Sequence, residues 1–377
     1  ELLDEHELFP FVEGEKVSFK SPNPTEHAKY LEHIEAELTS DTPLAFGLHP
    51  NAEIGFRTTQ SDATFATLQE LQPRDSGTEG DVQSPEQVAE EAMNSILQDF
   101  GDVHYELDEL GAGEEKGPFQ NVLTLECEQM NRLLEEVRRS LTELGMGFAG
   151  ELTVSDQMED LINALFLGRV PSSWAKLAWP SLRNLTTWLH DWQLRINQLS
   201  DWAANPLEIP KVTWLSGMIN PQSFLTAIAQ QTAQRQSLEL DKLVIQTDIT
   251  KRSVSEVDGH SRDGAYVSGF SIVGCRWDRS AGMLDRSRPR EMSCPMPVIN
   301  CRAIPADKIE TKGIYNCPVY KTETRGPTYV FMAQLRTKVP PARWIMSGVA
   351  LVLDVVVQAE HRVCACNCET VSVFKKK

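Results

Sequence analysis

The sequence predicts an α+β protein in which a helical layer is followed by an antiparallel β-barrel or sandwich-like unit. Apolar residues recur at three-and-four spacing up to about residue 235, the signature of amphipathic helices. Beyond about residue 240 the pattern shortens to β-rich runs separated by turns, which suits strands packed beside helices. The third observation is the run of tryptophans at 174, 179, 188, 192, 202 and 214. Each indole buries a large area at the cost of two rotatable bonds, so this density marks a rigid packing platform.

In chain order, Tyr30, Leu31, Ile34 and Leu38 predict a helix over 27–38, and Gly47 and Pro50 then break regular structure. A helix is expected over 61–71 with Phe65, Leu68 and Leu71 on one face, ended by Pro73. Ser84 as cap and Pro85 at the first position open another over 85–100. The strongest helix spans 119–144: Val122, Leu123, Met130, Leu133, Leu134, Val137, Leu141 and Leu144 keep helical phase, and Gly145 suits the C-cap. A helix over 155–167 points Leu161, Ile162, Leu165 and Phe166 inward. Pro180 opens a helix with Leu182, Leu185, Trp188, Leu189, Trp192, Ile196 and Leu199 on one side, and 221–235 supplies one more. Strands are expected at 243–249, 265–273, 297–303, 314–320, 328–335 and 344–357, with turns at Asp258-Gly259 and Asp263-Gly264.

Charge is uneven. Residues 1–150 hold 32 acids against 9 bases, so this half of a protein of net charge −18 disfavours non-specific contact with nucleic acid or anionic membrane. A mean hydropathy of −0.31 and the lack of a membrane-length apolar run describe a globular protein. None of the eight cysteines forms a CxxC pair, which points to a reducing, intracellular compartment. The first residues, ELLDEHELFP, carry neither an initiator Met nor a secretory signal and read as the middle of a longer protein.

The chemistry-bearing motifs are weak. There is no GxxxxGK[ST], HExxH, GxSxG or EF-hand loop. Gly111, Gly113 and Gly117 form a Gly-rich stretch whose Glu114 and Glu115 would repel phosphate. Cys364, Cys366 and Cys368 with His361 mismatch soft-metal spacing. His49 reads as a structural imidazole, Cys294 and Cys301 as buried free thiols, and the acceptor-like Asn184-Leu185-Thr186 as part of a helix. An enzyme would need His49, His190 or His260 gathered with carboxylates in one cleft, and no spacing suggests that. No catalytic, cofactor-binding or metal-binding residue is therefore assigned.

Several long blocks carry a resemblance: FGLHPNAEIGF (46–56), LQELQPRDSG (68–77), VPSSWAKLAWPSLRNLTTW (170–188), WLSGMINPQSFLTAIAQQTAQR (214–235), DGAYVSGFSIVGCRWD (263–278), MPVI (296–299), YNCPVYKT (315–322) and WIMSGVALVL (344–353). In this order they resemble the C-terminal region of an axonemal (ciliary) dynein heavy chain, outer-arm β-type in particular. The resemblance implies that residues 1–55 close the sixth AAA+ module (its lid region). Residues 56–235 would form the helical part of the C-terminal domain, and 236–356 its β-rich part. The tail, 357–377, matches no family block and is expected to be disordered, as a genuine extension or as translated non-coding sequence. The implied role is structural and regulatory: to brace the AAA+ ring of a minus-end-directed microtubule motor of cilia and flagella. This segment would have no catalysis of its own and no cofactor, ATP and Mg being bound elsewhere in the motor. Implied partners are the ring of the same heavy chain, other dynein heavy, intermediate and light chains, and microtubules through the stalk; the implied location is the axoneme. The alternative is a free-standing scaffold or regulator that keeps this fold and binds a partner protein.

Overall fold

The computed structural model describes residues 27–29, 31, 50–71, 84–107, 116–309 and 312–353. The expected helix at 27–38 is seen as helical residues 27–29 and 31; the rest of it, and the tail after 353, lie outside the described residues.

Helix α1, Pro50–Leu71, begins well before the expected Ser61. Pro50 does not break structure as expected, because its fixed φ suits the first turn of a helix. Phe65 is 63% exposed and does not face inward. The side chains of Leu68 and Leu71 lie outside the described residues. Helix α2, Pro85–Phe100, matches its expected bounds: the Ser84 hydroxyl accepts from the Gln87 N–H, and the Gln87 side chain accepts from the Ser84 N–H in return. Helix α3, Pro118–Phe148, runs through Gly145, the expected cap, and ends before Gly150, whose φ is +75°. A helical glycine costs only about 1 kcal/mol, which continued packing offsets.

Helix α4, Asp156–Phe166, buries Met158, Leu161 and Leu165, while Phe166, expected inward, is exposed. A short helix α5, Ser172–Leu177, is an addition to the expected elements. Helix α6, Leu185–Ala203, starts after Asn184 rather than at Pro180, because Asn184 Oδ1 accepts from the Thr187 N–H and caps it. Leu182 consequently sits outside the helix and is exposed. Helix α7, Pro221–Gln236, completes the layer.

The β-rich part is a pair of open, mixed sheets. One has the order β1-β3-β8-β2, from Thr213–Trp214, Ala265–Ser268, Ile299–Pro305 and Leu243–Ile249. The other has the order β10-β9-β11-β4-β7, from Tyr329–Arg336, Ile314–Tyr320, Ala350–Val352, Ser271–Val273 and Ser293–Pro295. A two-stranded ribbon, β5 (Arg276–Asp278) and β6 (Met283–Asp285), stands apart. The purely antiparallel expectation fails at two places: β1 pairs with β3, and β11 with β9, in parallel. Both pairs are joined by long connections, which parallel pairing requires. No barrel closes among the described residues. Between β2 and β10 the link is made by side chains, with Gln334 N donating to Thr247 Oγ1 at 2.7 Å and Thr247 N to Gln334 Oε1 at 2.9 Å.

The expected strand 265–273 is split into β3 and β4 around Gly269 (φ +94°). The expected strand 344–357 is instead a short helix α8, Pro341–Met346, followed by β11. There the Trp344 indole N–H donates to Thr337 Oγ1 at 2.7 Å, which places the ring in the core. One hydrophobic cluster runs from Ala89 to Leu353 and so includes both helices and sheets.

Candidate functional site: a buried charged joint

The tryptophans stack. Trp179 lies 5.1 Å from Trp188 at 12° between ring planes, Trp174 lies 6.3 Å from Trp188, and Trp188 lies 5.2 Å from Trp192. The column ends on Phe100, 4.3 Å from Trp192. Two indole N–H groups find partners, Trp174 donating to Ser140 Oγ and Trp192 to Met130 Sδ, both at 3.0 Å. This ties α5 and α6 to α3 with little side-chain freedom left.

At the other end of the column the surroundings become charged. The Arg195 guanidinium sits 4.0 Å from the Trp179 ring centre and 5.5 Å from that of Trp214, a cation–π arrangement on both. Arg195 pairs with Asp191 one turn earlier at 3.1 Å, and both are almost fully buried. Arg195 also donates to the Met218 carbonyl at 3.4 Å. The next residues are held from two further directions. Glu126 on α3 accepts from the Ile219 and Asn220 N–H groups, each at 2.7 Å, and Lys321, just past β9, donates to the Ile219 carbonyl at 3.1 Å. One stretch, Met218–Asn220, is thereby clamped by α3, by α6 and by the sheet.

Burial dominates the electrostatics of this joint. The Glu126 carboxyl is pushed above its ordinary value by desolvation, against the pull of the Asn220 and Ile219 N–H groups and of the Arg195 and Lys321 charges. Desolvation likewise holds the Lys321 ammonium below its ordinary value, with Glu126 opposing. Both shifts favour the neutral forms, so the charges lose more by leaving water than they regain from each other. Such a cluster is suited to fixing geometry.

No site residue is assigned from the sequence, and Glu126, Asp191, Arg195 and Lys321 are not singled out there. For three of them a signal exists: Glu126 is in phase with Val122 and Met130, and Asp191 and Arg195 with Trp188, Trp192 and Leu199, on the buried faces of their helices. Lys321 carries no such signal. The histidines weighed for an enzyme do not gather: His190 and His260 are exposed on α6 and on the loop after β2, and His49 lies outside the described residues. Among the described residues no group of three or more His, Cys, Asp or Glu is placed to hold a metal.

Cys364, Cys366, Cys368, His361, Gly111 and Gly113 also lie outside the described residues, while Gly117 precedes α3 as its N-cap. Cys301 is buried as expected, whereas Cys294 is half-exposed at the β7 edge. Burial pushes the thiols of Cys127, Cys301 and Cys317 up to about 12. Among the described residues no helix is long and apolar enough to cross a membrane.

An aromatic column ending in a buried ionic clamp between helices and sheet defines a packing module. Residues 58–353 match the family model for the C-terminal domain of the dynein heavy chain, and the protein belongs to that family. It is 45% identical over 358 residues to the dynein beta chain of the flagellar outer arm from Chlamydomonas reinhardtii, spanning 94% of the present sequence and 8% of that protein. It is 44% identical to the ciliary dynein beta chain of Heliocidaris crassispina, over 89% of the present sequence and 8% of that protein. Human dynein axonemal heavy chain 9 is 42% identical, with the same coverage of each. The present sequence thus spans about 8% of the length of these curated relatives. It is the C-terminal region of an axonemal dynein heavy chain, and its setting is the axoneme of a cilium or flagellum.

Proposed function

We propose that this segment is a structural and regulatory brace on the AAA+ ring of a minus-end-directed microtubule motor that drives ciliary or flagellar movement. On this reading it performs no chemistry itself; ATP and Mg bind elsewhere in the heavy chain. Its first partner is the ring of the same heavy chain. Through the assembled motor it meets other dynein heavy, intermediate and light chains and, by way of the stalk, microtubules. Residues 1–55 belong to the sixth module, 56–235 and 236–356 to the helical and β-rich parts of the brace. The observation that supports this reading is the clamp on Met218–Asn220, which ties α3, α6 and the end of β9 to one stretch of backbone. Coupling between distant sites needs packed elements with few arrangements.

The test places Glu126→Ala together with Lys321→Ala in the full heavy chain. Basal ATP hydrolysis should persist, while microtubule-activated hydrolysis and gliding fall by roughly 2- to 30-fold, the range implied by a coupling change of about 0.5–2 kcal/mol. Unchanged gliding by a variant whose joint is loosened would overturn the reading. An immunoblot of axonemes with an antibody to residues 151–235 separates this from a free-standing scaffold. The motor reading expects a species far above 42.3 kDa. A band near that mass that joins no larger polypeptide favours the scaffold.

A further inference from the structure

The connection 250–264 between β2 and β3 contains no strand and a single tight turn, Val254–Glu256. It is fastened on both sides of that turn. The Val298 N–H donates to the Arg252 carbonyl at 3.1 Å, the Val257 side chain is buried, and a His260 ring nitrogen bonds the Ile209 carbonyl oxygen at 2.9 Å. Between these anchors Val254, Ser255 and Glu256 are exposed, as are Lys251 and Arg252 before them. Ser253 is half-buried and occupied: its hydroxyl caps the turn, and its N–H donates to Glu256 Oε2 at 2.7 Å. The Ser255 hydroxyl meets that of Ser253 at 3.1 Å on the outer surface.

We propose that Ser255 is a phosphorylation site for a serine kinase that selects bases three and four residues before its target. Lys251 and Arg252 hold those two places, and such kinases read them with carboxylates through charge-assisted hydrogen bonds. Among the described residues Thr142 has the same spacing, after Arg138 and Arg139. It lies inside α3, its hydroxyl donates to the Arg138 carbonyl at 2.7 Å, and Arg139 is paired with Glu136 and Glu143. A kinase would have to unwind the helix to use it, whereas the 250–264 connection needs no secondary structure undone. In the reaction the Ser255 Oγ attacks the γ-phosphorus of ATP held by the kinase. The bond from that phosphorus to the β–γ bridging oxygen breaks, ADP leaves, and the hydroxyl proton passes to the kinase's carboxylate base. The phosphate brings about −1.5 to −2 charges to the turn. The Glu256 carboxyl there is already held below its ordinary value, first by the Ser253 N–H and hydroxyl and further by the Arg279 and Arg252 charges. The new anion repels Glu256 and draws the same two arginines, so the positive field at this rim is largely cancelled. The site does not depend on the motor reading, since it follows from this connection alone.

The test incubates the folded 377-residue protein with ATP and the catalytic subunit of a serine kinase selective for arginine three residues before its target, and locates the phosphate by fragment-ion mass spectrometry. Ser255 should be modified, and Thr142 only after the protein is unfolded. Arg252→Ala should slow incorporation at Ser255 by roughly 10-fold or more, the worth of one charge-assisted hydrogen bond. Ser255→Ala should leave the connection unmodified. Phosphate on Ser253 or Ser261 in place of Ser255 overturns the proposal. So does an unmodified folded protein, an equal rate at Thr142, or indifference to Arg252→Ala. Should a variant fail to fold, the position of the phosphate on the unaltered protein decides.

Discussion

The helical layer and the sheets are both built on buried apolar residues, yet they fail in opposite ways. In the helical layer the central contacts are broad ring faces, Trp179 on Trp188 and Trp192 on Phe100, so damage comes from removing volume. In the sheets, glycines stand hard against neighbouring backbone, so damage comes from adding volume. A Cβ at Gly264 would lie 2.1 Å from the Cys301 carbonyl oxygen, and one at Gly274 would lie 2.9 Å from that of Ser347. Both glycines also have positive φ, +117° and +82°. The contrast teaches that the helical part tolerates reshaping while the sheet part depends on a few glycines.

The largest effect should therefore come from a single methyl group. Gly264→Ala combines a left-handed φ with a backbone clash that no rotamer relieves, and should cost about 4 kcal/mol or more. Thermal unfolding of the 377-residue protein reads this as loss of the cooperative transition. Gly282→Ala is the control, since its φ is +68° but nothing lies within 4 Å of its Cβ. It should cost only about 1–2 kcal/mol. Equal losses for the two would break the comparison.

On the helical side the matching experiment is Trp188→Ala, at the centre of the column with three ring partners. It should cost about 3–5 kcal/mol, with Trp188→Phe costing much less because most of the volume stays. Near-UV circular dichroism should drop with the alanine variant at temperatures where it remains folded. If alanine and phenylalanine destabilised equally, the column would matter through its hydrogen bonds and not its volume.

The same contrast explains what can be read in the sequence. Helices α2 and α7 and strands β2 and β9 are legible to within a residue or so: α2 has its capping box, α7 a proline in its first turn, and β9 an alternating burial. Two boundaries differ from expectation where a proline misleads, since Pro50 starts α1 and Pro180 does not start α6; a third differs where the helix Pro341–Met346 takes the start of the strand expected over 344–357. At α6 the Asn184 cap decides the start, and at α8 the Trp344 ring goes into the core with its bond to Thr337. The six clustered tryptophans announce the platform. The joint is half legible through the buried phase of Glu126, Asp191 and Arg195, but its meaning depends on Ile219 and Asn220, which lie 93 and 94 residues from Glu126, and on Lys321, 102 residues beyond Ile219.

The joint sits where the two regimes meet, and a double-mutant cycle sharpens it. Lys321→Met or Glu126→Gln alone should cost about 3 kcal/mol, since each leaves a buried charge with less compensation. The double variant should cost less than the sum, because the second substitution removes the buried charge that the first left uncompensated. Strict additivity would mean that the two charges do not interact. The pH dependence has a definite sign. The Glu126 carboxyl is raised by burial, so its folded form holds the proton more tightly than the unfolded polypeptide does. The stability it contributes is complete below its ordinary value of 4.5 and is lost as pH rises through the raised folded value. Relative to Glu126→Gln, the unaltered protein should lose Tm as pH climbs from about 4.5. An unchanged difference between the two would show that Glu126 does not titrate in this range.

The smallest effect is expected from an ion pair that resembles the joint in geometry alone. Arg139 on α3 reaches Glu136 and Glu143, both at 2.9 Å, distances slightly shorter than the 3.1 Å of Asp191–Arg195. Its side chain is 55% exposed, against 3% for Arg195. Water and salt screen the exposed charges, and the long side chain surrenders rotamer freedom to hold its two partners, so Arg139→Ala should cost no more than about 1 kcal/mol. The loss should shrink further when salt is raised, whereas the response to Asp191→Asn should hardly change with salt. Chemical denaturation by urea at low and high salt measures both. A salt-insensitive, multi-kcal loss at Arg139 would mean that the groove between α3 and α4 is effectively dry, and burial could then no longer be the variable that separates the joint from the surface.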